Sequence, residues 1–215
     1  MDMEMIKTYL PWYIKGFGTT IELGVCAILL GLVIGIILAI MRTVKFKPLN
    51  IIAQVYISVF QGTPLLLQII FIYYTLPEIN IVLSATMSGI LALSLNVGAN
   101  FGETIRGGII GIPKGQFDAA KALGYSYPQM MFRVILPQTI RVILPSISSF
   151  AVLIMKDTSL VSCIALEELM RVSQLVRAAT FRPAESFLIA AVFYYALIFL
   201  MKKLFSALEK KTKKY

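Results

Sequence analysis

Three acids sit in or beside long apolar stretches of the sequence: Glu22, Glu103 and Asp157. An ionised carboxylate in such surroundings is costly, so it marks a functional position unless a neighbour neutralises it. Each has a bland explanation. Glu22 stands near one end of its apolar run and can reach water. Glu103 has Arg106 three residues on, one turn away on the same helix face, where the two can pair. Asp157 follows Lys156 and precedes Thr158 and Ser159, hydroxyl residues suited to capping a new helix. Covalent chemistry finds little support. The chain has no His, which removes the commonest general base and the commonest metal ligand. Its two cysteines, Cys26 and Cys163, are far apart in apolar surroundings and imply neither a disulfide framework nor a metal site. Gly107, Gly108 and Gly111 are not followed by the Lys-Ser/Thr of a phosphate loop, so ATP binding by that route is not expected.

The elements that must position these residues are membrane helices. Hydrophobic residues make up 58% of the 215-residue chain, above the usual ~45–50% of a soluble globule, and the mean hydropathy is +0.82. Apolar runs extend over Phe17–Met41, Ile51–Leu76, Ile81–Phe101, Ile135–Met155 and Phe187–Met201. At about 20 residues per crossing, with the last run lengthened by its flanks, these predict about five transmembrane helices. No ten-residue alternation supports a β-barrel.

Lys and Arg placement predicts the orientation. Arg42, Lys45 and Lys47 follow the first span. Arg106, Lys114, Lys121, Arg133 and Arg141 lie between the third and fourth, and Lys202, Lys203, Lys210, Lys211, Lys213 and Lys214 form the tail. Only Lys7, Lys15, Lys156, Arg171, Arg177 and Arg182 fall on the other side. The middle loop and the tail are therefore expected in the cytoplasm and the N-terminus outside. The same distribution explains the net charge of +9 as loops and a tail facing anionic lipid, without invoking nucleic acid. MDMEMIKTYLPWY lacks a basic leader and a small-residue cleavage site, so the first span is expected to be retained.

Residues 1–215 read as a single membrane domain without tandem repeats. Its second span is interrupted at Gln61-Gly62-Thr63-Pro64, where Pro64 removes a helix donor and Gly62 weakens the same turn. A break of this kind is tolerated in a membrane where protein or a wet cavity satisfies the freed groups, and a plain proline kink is the alternative. Gly31 and Gly35 form a small-xxx-small pair, a common and weak helix-packing signal.

Residues 116–137 read QFDAAKALGYSYPQMMFRVILP. Gly115 to Leu123 suits a short helix, with Gly124 placed as a left-handed C-terminal cap. Ser126 and Gln129 then fit a capping box, with Pro128 in the first turn of the next helix. A helix–turn–helix this short between two spans is expected to be a protrusion that docks onto something else.

Here the sequence resembles the EAA loop of ATP-binding-cassette importer permeases. Asp118-Ala119-Ala120, Gly124 and Val134-Ile135-Leu136-Pro137 match it, including the nine-residue gap after the glycine, with Asp118 in place of the usual Glu. GTPLL at 62–66, ETIRGGIIGIPKGQ at 103–116, LPQ at 136–138 and KDTSL at 156–160 look like the polar amino-acid subfamily. Gln61 stands where that family often has Arg, and Asn100-Phe101-Gly102 depart from its usual residues.

The resemblance implies an all-α type I importer permease whose loop, about 107–134, carries a cytoplasmic coupling helix seated in an ATPase. Asp118, Ala119, Ala120 and Gly124 would form that contact. A dimer of cytoplasmic ATPase subunits would hold the ATP and Mg, leaving this chain without a cofactor. A second copy or a similar permease would complete the pathway across the bacterial inner membrane, and an extracytoplasmic binding protein would deliver an amino acid to it. Glu103 and Asp157 are then expected to attract its ammonium. A helix N-terminus opened by Thr158 or Ser159 would suit its carboxylate, and Asn96, Gln61 and Thr63 would supply neutral hydrogen bonds. A cationic amino acid such as arginine, lysine or histidine is the first expectation and glutamine the second. For the loop, the competing reading is an amphipathic helix lying on the bilayer. For the whole chain, an ion-coupled secondary carrier comes next, although the internal repeats that would favour it are not evident. A membrane enzyme comes last, for want of a nucleophile–base or metal constellation.

Overall fold

The computed structural model describes residues 3–44 and 46–213, and the regular structure among them is entirely helical. Lys45 and Lys214, counted above in the basic loop and tail, lie outside the described residues. In chain order the helices are α1 (Met3–Thr43), α2 (Lys47–Gly62), α3 (Leu65–Thr75), α4 (Ala85–Ile110), α5 (Lys114–Ala122), α6 (Tyr127–Met130), α7 (Leu136–Asp157), α8 (Leu169–Thr180) and α9 (Pro183–Lys213). A 3₁₀ turn at Leu76–Ile79 follows α3, and another at Thr158–Ile164 continues α7.

Three stretches are long and apolar enough to cross a membrane: Glu4–Thr43, Tyr127–Ile164 and Pro183–Thr212. α2 and α3, bent by 105° at their junction, make a fourth if counted as one span. The remaining expected span corresponds to α4, whose 26 residues are enough for a crossing but include Ser88, Ser94, Asn96 and Asn100. Its position accounts for that composition. α4 is packed against α1, α2, α3 and α7, and a helix lined by protein does not need an unbroken apolar surface.

The α1–α4 contact is the most extensive in the molecule, and glycines set its spacing. A Cβ on Gly31 would lie 2.3 Å from Val97, and one on Gly35 would lie 2.6 Å from the Cβ of Phe101. From the other side, Gly98 and Gly102 of α4 leave room for Ile34 and Leu38. The small-xxx-small signal on α1 is thus answered by a second pair on α4. Leu23, Ala27, Ile69, Leu93, Val97, Phe101 and Val161 form the main core around this contact.

α1 begins well before the expected Phe17 because its first turns have partners of their own. Met5 and Tyr13 pack with Leu169, Val172 and Val176 of α8 and Ala190 of α9, and Tyr13 Oη donates to Ser186 O at 2.9 Å. Entry into α7 is also irregular. Residues Met131–Ile135 form a π turn in which the Leu136 N–H bonds to Met131 O. Pro137 lacks an N–H and its ring crowds the carbonyl four residues back, so a wider turn just before it relieves the conflict.

Candidate functional site

Between α4 and α7 the chain forms the expected helix–turn–helix. α5 closes with Gly124 at φ +75°. The Gly124 N–H donates to Lys121 O at 2.9 Å and the Tyr125 N–H to Ala120 O at 3.1 Å, the paired bonds of a Schellman motif. Ser126 and Gln129 make the capping box, with the Ser126 N–H donating to Gln129 Oε1 at 2.9 Å. Asp118, Ala119 and Gly124 are exposed, whereas Ala120 is buried. Ala120, Ile112, Met130 and Ile135 form a small core, with Phe117 and Tyr125 against it. The loop therefore buries a small core of its own. Ala120 has to be small for the loop to close on itself. The outward residues include Leu123 and Tyr127, 74% and 67% exposed, an apolar surface uncovered in the isolated chain.

At the α2–α3 break the freed carbonyls are taken by side chains. Thr63 Oγ1 donates to Val59 O at 2.7 Å. Gln68 Nε2 lies 3.0 Å from Phe60 O, 3.1 Å from Thr63 O and 2.9 Å from Thr63 Oγ1, its two hydrogens shared among the three. From α4, Asn96 Nδ2 reaches Phe60 O at 3.0 Å and Gln68 Oε1 at 3.2 Å. Gln61 Nε2 donates to Asn100 Oδ1 at 3.2 Å, and Tyr56 Oη donates to Leu95 O at 2.9 Å. Protein rather than a wet cavity thus satisfies the break. Gln61 nevertheless lines an open cleft of about 590 Å³, with Arg42, Gln54, Ser58 and Glu103.

The structure separates the candidate acids. Glu103 faces that cleft and is held by Arg106, whose Nε lies 3.0 and 3.1 Å from its two oxygens and whose Nη2 also bonds to Oε1. Asp157 is half-buried at the end of α7 and makes no ion pair or hydrogen bond among the described side chains. Met155, two residues before it, faces Gly24, whereas Phe101, two residues before Glu103, faces Gly35. Those levels are roughly 16 Å apart along α1 at 1.5 Å per residue. A single ammonium cannot touch both acids of one chain. Glu22 is exposed on α1.

The helix N-terminus expected at Thr158 or Ser159 is not formed. The chain passes from α7 into the 3₁₀ turn without a break, and the buried Thr158 hydroxyl donates back to Met155 O at 2.9 Å. The new helix starts later, at α8, and its cap is Glu168. Its carboxylate accepts from the N–H groups of Met170 at 2.9 Å and Arg171 at 2.7 Å, and from Tyr194 Oη at 2.9 Å. Burial dominates over these bonds and pushes the Glu168 carboxyl up to about 7. Gln68, Asn100 and Glu168 were not among the sequence candidates. A Gln four residues after a Pro break was a readable signal for Gln68. Glu is an uncommon cap, so Glu168 offered little.

Residues 31–214 match the family described as "Binding-protein-dependent transport system inner membrane component". The chain belongs to this family. It is a transport subunit of the inner membrane and not an enzyme. The resemblance drawn from the loop, to permeases of ATP-binding-cassette importers for polar amino acids, is borne out by its relatives. The permease is 35% identical to the arginine transport system permease ArtQ of Bacillus subtilis over 214 residues, covering 99% of this chain and 98% of that one. It is 39% identical to the putative glutamine transport system permease GlnP of Rickettsia typhi, covering 96% of each. Among solved structures, one described as an amino acid ABC transporter with histidines superposes with a TM-score of 0.91 at 33% identity, covering 98% of this permease and 99% of that chain. The methionine transporter MetNI, at 14% identity and a TM-score of 0.77 over 99% of each chain, shares the fold.

Proposed function

We propose that this permease carries cationic amino acids, arginine first, into the cell, with glutamine as the alternative substrate. The observation that carries the cationic class is Asp157, a half-buried acid with no hydrogen bond or ion pair among the described side chains, its one nearby charge being the exposed Lys156. A carboxylate so placed in an apolar setting favours a cation. Glu103 offers a second acid on the cleft side of the permease, where a substrate cation would compete with Arg106. Gln61 supplies a neutral polar group at the cleft, whereas Asn96 and Thr63 spend their donors on the α2–α3 break. The arginine and histidine named for two relatives point the same way.

Two permeases, identical or similar, enclose the route, because the acids of one chain stand too far apart to form one site alone. The N-terminus lies outside, while the α4–α7 loop and the C-terminal end of α9 lie in the cytoplasm, as the basic residues favour. The exposed Asp118, Ala119 and Gly124, with Leu123, seat in the cytoplasmic ATPase dimer, which holds ATP and Mg; this chain holds no cofactor. An external binding protein delivers the amino acid. ATP-driven closure of the ATPases, passed through the loop, alternates access, and no covalent chemistry occurs here.

The test is uptake of radiolabelled arginine by proteoliposomes containing the assembled importer and its binding protein. Asp157→Asn is expected to weaken arginine uptake at least about ten-fold while sparing any glutamine uptake. Arginine uptake and selectivity unchanged in both Asp157→Asn and Glu103→Gln would remove the acids from recognition. Uptake that follows a proton or sodium gradient rather than ATP would favour the carrier reading.

A further inference from the structure

We propose that Gln68 and Asn96 are positioning residues that latch the α2–α3 bend to α4, so that the bend moves with α4 as one body. The inference rests on the importer reading above for its consequence in transport. Its geometric basis is the accounting of the break. Helix ends leave backbone carbonyls unpaired, and in an apolar setting each must find a partner. Here Phe60 O and Thr63 O are both served by one amide, Gln68 Nε2, and that amide's oxygen is held in turn by Asn96 Nδ2. Asn96 also bonds directly to Phe60 O. Phe60 O, the Gln68 amide and the Asn96 amide form a closed loop of hydrogen bonds, with Thr63 O attached to it through Gln68, joining the end of α2, the start of α3 and the middle of α4. Gln68 is only 8% exposed, so little water reaches it to replace a lost bond.

A bend of 105° held in this way does not drift freely against α4. Tyr56 Oη on Leu95 O and Gln61 on Asn100 add two more ties from α2 to the same helix. At its other end, α4 joins the helix–turn–helix. Ile109 packs with Ile112, Ala120, Met130 and Ile135 in that loop's core. One continuous helix therefore links the loop to the bend, about 20 Å from Ile109 to Asn96 at 1.5 Å per residue. Displacement of the loop then reaches the α3 side of the bend only while the latch holds. With the latch broken, α2 still follows α4 through Tyr56 and Gln61, but the start of α3 does not, and ATP is spent without matched transport.

The assembled importer, with its ATPase subunits and binding protein, is reconstituted in proteoliposomes. Uptake of radiolabelled L-arginine or L-glutamine, whichever the wild type takes up, is measured against ATP hydrolysed. Gln68→Met and Asn96→Leu are each expected to lower amino acids moved per ATP by about ten-fold, with hydrolysis within about two-fold of wild type. The exchanged pair, Gln68→Asn with Asn96→Gln, keeps both amides and their summed length and is expected to recover the ratio to within about three-fold. Single variants that keep the wild-type ratio, or in which uptake and hydrolysis fall together, overturn the latch. A second measurement decides the matter without transport. Spin labels at Val59→Cys and Phe71→Cys, both exposed positions, with Cys26 and Cys163 replaced by Ser, report the distance across the bend. A narrow distribution that broadens in Gln68→Met supports the latch, and an unchanged one overturns it. A wild type with a narrow distance but no ATP-driven uptake would instead count against the importer reading alone.

Discussion

Tyr194 donates its phenolic hydrogen to Glu168 at 2.9 Å, joining the first residue of the α8 cap to the middle of α9. Glu168 is fully buried between the spans ending at Ile164 and beginning at Pro183, and burial raises its pKa from 4.5 to about 7. A carboxyl with a raised folded pKa favours the folded state when protonated. Its contribution is complete below about 4.5 and is lost as pH rises through about 7. The loss amounts to about 3 kcal/mol at 1.36 kcal/mol per unit. Thermal unfolding of the detergent-solubilised permease should show this decline between pH 4.5 and 7.5, and Glu168→Gln should flatten it. An equal slope in that variant would assign the pH dependence elsewhere.

Gly31 and Gly35 predict a sharp contrast along one helix. A leucine at either position must displace Val97 or the backbone beside Phe101, and overpacking of this kind costs about 1–3 kcal/mol. Gly18, on the same helix, has nothing within 4 Å, so Gly18→Ala should be neutral or stabilise by about 0.5–1 kcal/mol. Yields of monodisperse protein and melting temperatures would separate the two classes. A well-tolerated Gly31→Leu would mean that α1 and α4 are not closely seated.

Gly124→Val should cost about 1–2 kcal/mol locally, because φ of +75° is unfavourable for any residue with a Cβ. Limited proteolysis of residues 107–134 would report it as faster cleavage of the turn. Wild-type cleavage rates in this variant would show that the turn can be rebuilt without a left-handed residue.

Ala119 and Ala120 are neighbours with different duties. Ala120→Leu should open the loop's small core and lower stability, since Ile112 and Met130 already fill the space around it. Ala119→Leu, on the exposed side, should leave the fold intact and act only on association with the ATPase. Comparing melting temperature with ATPase co-purification for the two variants checks the division. Equal melting temperatures would deny Ala120 its internal role.

Much of this was readable from the sequence where one rule governed one feature. Gly124 and the Ser126–Gln129 box depend on local backbone chemistry and fell where expected. Length and apolarity located α1, α7 and α9 to within their frayed or extended ends. Tertiary contacts decided the rest. α4 keeps its asparagines because the bend of α2–α3 needs partners, and that need is visible only once the bend is known. The start of α1 at Met3 rather than Phe17 depends on α8 and α9, far along the chain. Thr158 and Ser159 have the composition of a cap, yet backbone continuity from α7 prevailed over it. The pairing of Glu103 with Arg106 was readable from their spacing, whereas the separation of Glu103 from Asp157 along α1 depended on helix packing.

The tie between Tyr13 and Ser186 spans 173 residues, and it sets an order of events. A membrane protein emerges from the ribosome N-terminus first, so the first turns of α1 exist long before α8 and α9. Until α8 and α9 are inserted, Met5 and Tyr13 lack the partners that cover them, and the first turns of α1 wait as an unfinished joint. The fold is therefore buckled late in synthesis, when α8 and α9 return to the early residues of α1.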